Sequence, residues 1–429
     1  MIKDIDDIIK NHIPPYLYNS INFKPGETPI YYSGPYWDSE EISAAINSIL
    51  NGKWITAGEE VYKFQKEFSK KFNVKHSFMV NSGSSANLLL IAALKLKYKW
   101  DDNDEIIVSP VGFPTTISVI IQNNLKPVFV DIELDTLNFD IDLIEEKITA
   151  KTRGIFVSPV LGNPPNMDEL LRICKKYNIK LIGDNCDSLG SKWNDKFIHE
   201  YYVAFSNSFY PAHHISTGEG GMICTNDDEI NSIVNSLAWW GRDCHCNGSQ
   251  NLLSNGMCKN RFSNWLPNYD GIIDHKYVFT TMGYNLKPLD LQGAIGLAQL
   301  NKFDDISKKR KYSKNKLYNI FFNKFKNDEI YEISTYVNSD VCWFGTPIRC
   351  KNKTIKQKLV KYLEDNKIQT RNYFAGNILL HPGYSHLDDY KLYKNANAVL
   401  DFIFFIGAAP HYTDEIFNYI KLKLNEFTL

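Results

Sequence analysis

Two adjacent histidines stand in the segment SFYPAHHISTGEGG, residues 208–221, within a stretch that has no lysine between Lys196 and Lys259. An apolar, strand-like run precedes the segment, and Ser208 lies five residues before His213. An imidazole has an unperturbed pKa of about 6.5, so it exchanges protons readily at neutral pH. Taken alone, His213 is most simply a core or surface histidine. Beside suitable partners, it is a candidate proton carrier.

A glycine and three serines open the predicted helix of VNSGSSANLLL, residues 80–90. The first backbone N–H groups of a helix are free and its dipole is positive there, so the turn around Gly83 and Ser84 suits a phosphate group. The other interpretation is an ordinary helix cap made by Ser82, Ser84 or Ser85. On this stretch alone, the cap is the simpler interpretation.

A carboxylate ends an apolar run in IGDNCDSLGS, residues 182–191. Asp184 stands at the carboxyl end of a predicted strand, where open α/β sheets place their ligand-binding groups. There it could pair with a protonated ring nitrogen, or it could simply cap the following turn. Taken alone, the turn cap is the better interpretation.

Strand and helix patterns alternate from about residue 52 to residue 235, which predicts an α/β domain with a mostly parallel sheet. Several apolar runs are nearly continuous, as expected for strands that are covered on both faces. The predicted strands are 105–110, 126–132, 154–160, 179–185, 203–209 and 220–226, and the clearest helices are 84–97 and 166–177.

Changes of pattern along the chain predict three parts. An N-terminal segment, 1–50, packs on the core or on the small domain, and the large α/β domain covers 51–300. Within the large domain, residues 239–282 contain Gly, Asn and Ser clusters and close cysteines, and we interpret them as an ordered excursion. A smaller α+β domain, 301–429, begins with a long charged helix.

Composition excludes several classes of protein. Hydrophobic residues make up 44% of the 429 residues and the formal net charge is −1, so the chain can bury a large core and has no electrostatic preference for nucleic acid or anionic membranes. The N-terminus lacks the uninterrupted apolar segment of a secretory signal, and no run approaches the roughly 18 apolar residues of a membrane span. The expected location is the cytoplasm.

Three of the eight cysteines lie close together, at Cys244, Cys246 and Cys258. With Cys186 they form the series Cys-x57-Cys-x-Cys-x11-Cys. Four thiolates suit a [2Fe–2S] cluster, and they would suit structural zinc equally well. As a bare spacing, the series does not decide between these metals.

The order of these features resembles the fold-type I pyridoxal-phosphate enzymes, and among them the sugar aminotransferase family that acts on nucleotide-linked keto sugars. The order is a phosphate cradle, then Phe113 after a strand, then Asp184, then Ser208 and His213. The resemblance implies an α/β large domain with a mostly parallel seven-stranded sheet between helices, and a smaller α+β C-terminal domain. It also implies a homodimer whose active sites are shared between subunits.

In that family the segment reads approximately Ser-Phe-His-x-x-Lys, and the lysine forms a Schiff base with the cofactor. Here Ser208 starts the same frame and His213 occupies the lysine position. An imidazole cannot form that Schiff base as an amine does. The resemblance therefore implies pyridoxamine phosphate (PMP) held without a covalent bond, with His213 as a base at the cofactor's C4′ carbon.

The branch of the family with histidine for lysine contains the 3-dehydrases and 3-dehydratases of 3,6-dideoxyhexose biosynthesis. The four cysteines resemble the [2Fe–2S] arrangement of the CDP-4-keto-6-deoxyglucose 3-dehydrase, with four additional residues within 247–257. GRDC, at 241–244, and the run 269–300 also look like that dehydrase. In the family the Asn of Gly-Tyr-Asn, here Asn285, reaches the cofactor phosphate of the other subunit.

The implied substrate is a nucleotide-linked 4-keto-6-deoxyhexose that loses its C3 hydroxyl. The resemblance assigns to the cofactor Gly83, Ser84 and Ser208 for the phosphate, Phe113 for the ring face, and Asp184 for the protonated ring nitrogen. Tyr210 would orient His213 or the leaving group, and Asp187 would face the same pocket.

Two electrons are needed to reach a 3-deoxy sugar, and a [2Fe–2S] cluster passes them one at a time. The resemblance therefore implies a separate NAD(P)H-dependent flavin or iron–sulfur reductase. The chain itself has no Gly-x-Gly-x-x-Gly fingerprint for nicotinamide binding.

Three alternatives remain open. A cluster-free 3-dehydratase also has histidine for lysine and would not need the four cysteines. A sugar aminotransferase-like protein with structural zinc accounts for the cysteines, although the missing lysine disfavours ordinary transamination. An inactive protein of the same fold would have lost its lysine by decay, which the retention of Asp184, Ser208 and Asn285 disfavours. The sequence identifies neither the sugar nor its nucleotide.

Overall fold

The computed structural model of the chain describes residues 7–9, 11–12, 23–52, 55–243, 262, 266–325 and 329–428. The main α-helices in these ranges are α1 Ser39–Asn51, α2 Glu59–Lys71, α3 Gly83–Tyr98, α4 Pro114–Gln122, α5 Met167–Tyr177, α6 Asp228–Ala238, α7 Asp290–Lys324, α8 Lys353–Asp365, α9 Lys394–Phe402 and α10 Asp414–Glu426. None of the described helices has the length and apolar character needed to cross a membrane.

The strands build three sheets. They are β1 His76–Val80, β2 Glu105–Val108, β3 Lys126–Phe129, β4 Thr152–Val157, β5 Lys180–Asp184, β6 Lys192–Trp193, β7 Lys196–Phe197, β8 Ala204–Ser208, β9 Gly221–Thr225, β10 Ile330–Tyr331, β11 Ser339–Asp340, β12 Gly345–Cys350, β13 Arg371–Asn372 and β14 Ile403–Gly407. The largest sheet has seven strands in the order β1-β9-β8-β5-β4-β2-β3. Its size confirms the predicted seven-stranded sheet.

Within the seven-stranded sheet, only β9 runs against the common direction. The strands β3, β2, β4, β5 and β8 pair in parallel, whereas β9 pairs antiparallel with both β8 and β1. Helices separate the parallel strands and cover the sheet, which is the α/β arrangement that the alternating pattern predicts. The apolar runs after residue 100 all become strands, and each ends one to three residues sooner than predicted.

The long helix α7 links the two halves of the fold. Its buried side chains include Phe303, packed in the core beneath the large sheet, and Leu317, packed in the core of the C-terminal part. That part contains an antiparallel sheet in the order β10-β12-β14-β13. The charged pattern of the sequence begins at Phe303, but the helix starts 13 residues earlier, at Asp290. It passes residue 300 without a break. The domain boundary near 300 stays a prediction.

The N-terminal segment contacts both halves of the molecule. Ile30 forms a parallel bridge to Ile368 in the C-terminal part. Further along, the indole N–H of Trp37 donates to the Ser216 carbonyl at 3.1 Å, and the hydroxyl of Ser33 donates to the carbonyl of Ala212 at 3.0 Å. The segment therefore holds the loop that carries the histidine pair.

The predicted excursion, 239–282, returns to the place where it leaves. Arg242 and Phe279 form an antiparallel bridge, and the Asp243 N–H donates to the Val278 carbonyl at 2.9 Å. Of the four cysteines expected to bind a metal, Cys244, Cys246 and Cys258 lie outside the described residues.

Gly221 gives a test of the packing between β9 and the turn after β1. A Cβ atom at this position would stand 2.2 Å from the carbonyl oxygen of Ser82. Overpacking of a buried site costs about 1–3 kcal/mol, so we expect Gly221→Ala to lower the midpoint of thermal unfolding clearly. Gly383→Ala is the matched control, because no heavy atom lies within 4 Å of its Cβ position. Equal midpoints for the two variants would contradict the close approach.

Candidate active site

A cavity of about 750 Å³ opens at the carboxyl edge of the seven-stranded sheet. Residues at or just after the carboxyl ends of five strands of this sheet reach it, together with residues from the C-terminal part of the chain. From the large sheet these are Ser82, Gly83 and Ser84 after β1, Phe113 after β2, Ser158 after β4, Asp184, Cys186 and Asp187 at β5, and Ser208, Tyr210 and His213 at β8. All but one of the proposed catalytic and cofactor residues therefore share this cavity.

The turn before α3 combines a helix cap with an open edge. The Ser82 hydroxyl accepts the backbone N–H of Ser85 at 3.1 Å, so Ser82 is the cap. The side chain of Ser84 is then left to line the cavity. Gly83 is required because a Cβ atom there would stand 2.5 Å from the Cβ of Ser208. The free N–H groups of the helix and the hydroxyl of Ser208 meet at one anion-binding edge.

Asp184 is buried at the end of β5 and is held by two side chains from other elements. Its Oδ2 atom accepts the Asn87 amide at 2.8 Å and the Thr116 hydroxyl at 2.7 Å, and the Cys186 backbone N–H approaches Oδ1 at 3.3 Å. Asn87 is itself fixed, because its side-chain oxygen accepts the Ser206 hydroxyl at 2.5 Å. The carboxylate therefore keeps one orientation toward the cavity.

The loop after β8 is folded by its own backbone. The His213 N–H donates to the Tyr210 carbonyl at 2.9 Å, and the Thr217 N–H donates to the Phe209 carbonyl at 3.0 Å. Phe209 is fully buried, with ring centroids 5.3 Å from Phe64 and 5.9 Å from Phe68. This loop, residues 209–217, is the histidine loop. It presents Tyr210 and His213 to the cavity while its first residue is anchored in the core.

The two histidines of the pair point to different surroundings. His214 is buried, and its Nε2 atom lies 2.9 Å from the carbonyl oxygen of Cys342. Its role is to anchor the loop against the strand that follows Cys342. His213 instead lines the cavity, with its ring centroid 5.1 Å from that of Phe344 and 6.4 Å from that of Tyr210.

The imidazole of His213 is kept neutral. Burial and, to a lesser extent, the positive charge of Arg310 lower its pKa to about 3, while the main chain of Cys186 opposes the shift. Its Nδ1 atom lies 3.6 Å from Oδ1 of Asp187. Burial raises the pKa of Asp187 to about 7, an effect that the nearby Asp184 charge reinforces. The contact therefore joins a neutral imidazole, able to accept a proton, to a carboxyl group that is only partly ionised at neutral pH.

Comparison with known proteins identifies the family of the chain. The model of the DegT/DnrJ/EryC1/StrS aminotransferase family matches residues 37–425. The chain belongs to this family. It is 36% identical to a dTDP-4-dehydro-2,6-dideoxy-D-glucose 3-dehydratase of Saccharopolyspora spinosa, over 100% of this chain and 93% of the relative.

Solved structures of the family share the fold. A GDP-4-keto-6-deoxymannose-3-dehydratase variant with bound GDP-perosamine has a TM-score of 0.79 at 31% identity, covering 92% of this chain and 99% of the other. The Escherichia coli GDP-4-keto-6-deoxy-D-mannose-3-dehydratase with bound hydrated PLP has a TM-score of 0.79 at 30% identity, with the same coverage. The fold is therefore the fold-type I architecture of this family.

Cys186 is the one cysteine of the expected metal set that the structure describes. It lines the cavity, where burial and the neighbouring carboxylates of Asp184 and Asp187 raise the pKa of its thiol well above the ordinary value. Among the described residues, no group of three or more metal-ligating side chains is present.

Asn285 is the one expected cofactor residue that does not line the cavity of its own subunit. It forms an antiparallel bridge to Trp239, and its side-chain oxygen accepts a hydrogen bond from Lys287. The Lys287 ammonium lies 3.6 Å from the ring centroid of Trp240. Asn285 and Lys287 thus form a polar pair on the segment that closes the excursion.

Arg310 of α7 is a site residue that no local sequence pattern indicates. It is 1% exposed, and one amino group donates to the carbonyls of Ala212 and His213, both at 2.9 Å. The other donates to the carbonyl of Phe344 at 3.1 Å. Arg310 therefore joins the histidine loop to the wall that packs against the His213 ring.

We expect Arg310→Met to loosen the histidine loop. Hydrogen bonds to charged groups contribute about 1.5–3 kcal/mol each, and the substitution leaves three buried carbonyls without this donor. Hydrogen exchange measured by mass spectrometry should become faster in the peptide that contains residues 209–217, and the thermal midpoint should fall. Arg310→Lys should recover part of the protection.

Ser33→Ala is the control, because it removes one neutral hydrogen bond to the same Ala212 carbonyl. We expect a much smaller change of exchange in that variant. Exchange in Arg310→Met equal to that of Ser33→Ala would show that the guanidinium does not hold the loop.

Proposed function

We propose that the protein removes the C3 oxygen from a nucleotide-linked 4-keto-6-deoxyhexose, using non-covalent PMP and a [2Fe–2S] cluster, in 3,6-dideoxyhexose biosynthesis. The observation that carries the proposal is the position of His213 in a cavity beside Asp184 and Ser208, with no lysine among the described residues that line it. A family member whose cavity offers imidazole in place of an amine is suited to proton transfer rather than to covalent attachment of the cofactor. Relatives named as 3-dehydratases support the same chemistry.

The residues of the cavity fit PMP. Gly83 leaves room for a phosphate at the start of α3, since any side chain there would collide with Ser208. Asp184 presents a fixed carboxylate that can pair with a protonated pyridine nitrogen. Phe113 is 52% exposed, so its ring has a free face for stacking on the cofactor.

When bound, PMP supplies an amine for the C4 ketone of the sugar and a ring that accepts electrons. His213 removes the proton at C4′, for which its neutral state is required. Asp187 contacts the imidazole and fixes its orientation. Tyr210, on the same loop, orients the imidazole or the C3 hydroxyl that departs. Arg310 acts at a distance from the reacting atoms, by holding the loop.

Cys186, with Cys244, Cys246 and Cys258, is proposed to hold the [2Fe–2S] cluster, which supplies electrons one at a time. A thiolate beside Asp184 and Asp187 is unfavourable unless a positive centre compensates it, as the raised pKa of Cys186 indicates. Iron would provide that charge. The electrons come from a separate NAD(P)H-dependent flavin or iron–sulfur reductase, and the cytoplasmic location stays a prediction from the sequence.

A homodimer with shared active sites is part of the proposal. Large apolar side chains are exposed around the closing segment of the excursion, namely Ile55, Trp240, Tyr277, Phe279, Met282 and Leu289. Contiguous exposed apolar surface of this kind is typical of protein interfaces. A second copy on this face would cover it, and the polar pair Asn285 and Lys287 would then be placed to bind the partner's cofactor phosphate.

His213→Asn tests the proposed base. We expect this variant to bind PMP with near-normal affinity but to lose exchange of the C4′ hydrogen with solvent, because the amide side chain cannot accept a proton. Exchange is measured by NMR of the cofactor in D₂O in the presence of the substrate. Tyr210→Phe is the comparison, and it should retain measurable exchange.

Two results would contradict this assignment. One is C4′ exchange in His213→Asn at the rate of the unmodified protein. The other is a covalent adduct of PLP with the protein after reduction with borohydride, detected by mass spectrometry, since it would show that a lysine attaches the cofactor.

Cys186→Ser tests the proposed cluster. The protein purified without oxygen should contain about two irons per chain and show visible absorption bands, and Cys186→Ser should lose most of both. Cys174→Ser is the matched control, because Cys174 is a buried cysteine of α5 packed in the apolar core beneath the sheet. Full iron content in Cys186→Ser would remove Cys186 from the ligand set.

The same iron measurement separates the alternatives. Zinc in place of iron would indicate structural zinc, and it would exclude electron transfer through this centre. Activity without any metal would indicate a cluster-free 3-dehydratase, which retains the PMP chemistry assigned to His213 and Asp184.

A further inference from the structure

Charge is distributed unevenly over the cavity. Three carboxylates line it, at Asp184, Asp187 and Glu219, whereas Arg371 is the one lining cation among the residues that the structure describes. A nucleotide-linked sugar carries two negative charges on its diphosphate, so its binding requires a positive group. Arg371 is therefore the lining side chain best suited to a diphosphate.

Arg371 belongs to β13, an edge strand of the C-terminal sheet, where it pairs with Phe405 of β14. Its guanidinium carbon lies 4.5 Å from the ring centroid of Tyr32, and one amino group donates to the Thr370 carbonyl at 2.8 Å. Stacking on Tyr32 and this backbone bond fix the plane of the guanidinium. The residue is exposed, so the remaining N–H groups are available to an anion in a forked arrangement.

A row of aromatic rings separates Arg371 from His213. His213 packs on Phe344 at 5.1 Å between ring centroids, Phe344 on Phe405 at 6.2 Å, and Phe405 on Tyr32 at 5.8 Å. Arg371 in turn stacks on Tyr32. The base and the cation are therefore connected through three aromatic rings, Phe344, Phe405 and Tyr32.

The chemistry of the substrate matches that separation. In a nucleotide-linked hexose the diphosphate is attached at C1, which lies across the ring from the reacting C3 and C4. When C4 is placed at the His213 end, C1 and the diphosphate must point away from it. The hexose then lies along the aromatic row, whose rings offer apolar faces to sugar C–H groups.

We propose that Arg371 binds the diphosphate of the nucleotide-linked substrate and thereby sets which carbon of the sugar reaches His213. This inference rests on the proposed function, because it requires a nucleotide-linked substrate. It adds a residue of the C-terminal part of the chain, so the sugar is held between the two halves of the molecule.

Calorimetric titration of the PMP-loaded protein with CDP, dTDP, GDP and UDP in turn tests this assignment. We expect one of the four to bind, and Arg371→Met to weaken its binding at least about tenfold, because charge-assisted hydrogen bonds are lost. Arg371→Lys should lie between the two, since it keeps the charge but not the fork. Affinity for the corresponding uncharged nucleoside should not change.

Arg349→Met is the matched control. Arg349 lies on β12 of the same sheet, stacks on Tyr331 at 5.0 Å and donates to the Leu134 carbonyl at 2.9 Å, but it does not line the cavity. We expect its nucleotide affinity to equal that of the unmodified protein. The absorption spectrum of bound PMP and the thermal midpoint check that each variant is folded.

Three outcomes would overturn the inference. Unchanged nucleoside diphosphate binding in Arg371→Met would exclude Arg371 as the diphosphate ligand. An equal loss of nucleoside affinity would show that Arg371 contacts the base instead. Failure of the unmodified protein to bind any of the four nucleotides would contradict the proposed nucleotide-linked substrate itself, and the inference with it.

Discussion

The buried guanidinium of Arg310 is the contact on which the arrangement of the cavity depends. It comes from the long helix α7 and reaches carbonyls on both sides of the cavity, at Ala212 and His213 on the loop and at Phe344 on the wall. A buried charged group is tolerated only when its hydrogen-bond donors have acceptors. Here backbone carbonyls accept hydrogen bonds from the guanidinium, so the helix α7, the histidine loop and the cavity wall at Phe344 are held together.

The same charge shapes the chemistry of the site. It opposes protonation of His213 and favours ionisation of Asp187, while burial acts in the direction of neutrality on both groups. Burial is the larger effect in each case. The result is an uncharged imidazole, with one ring nitrogen unprotonated, beside a carboxyl group near its point of half-ionisation. A solvent-exposed histidine would not be neutral across so wide a pH range.

Local sequence patterns were enough to predict most of the large sheet, whereas the family resemblance was needed to choose the site residues at its carboxyl edge. The continuous apolar runs became β2 to β5, β8 and β9, and the candidates Gly83, Asp184 and Ser208 followed strands whose direction brings their ends together. The strand β1 was missed, because HSFMV is short and starts with polar residues. Its partner is β9, far along the chain, and that pairing defines it.

The partners of these residues were not predictable in the same way. Arg310 stands 97 residues from His213 on a charged helix, where an arginine is ordinary, and its burial follows only from the packing of α7 under the loop. Tyr32 and Arg371 are likewise brought to the cavity by separate elements. The resemblance assigns a cofactor role to Asn285, yet this residue does not line the cavity of its own chain, a placement that no local pattern predicts.

The bridge between Arg242 and Phe279 has a consequence for how such chains diversify. It joins the two ends of the excursion to each other. The positions of the strands and of the histidine loop therefore do not depend on how many residues lie between those two ends. The entropic cost of a longer closed loop grows only with the logarithm of its length. A change in the number of residues between these two ends can therefore leave the strands and the histidine loop in place.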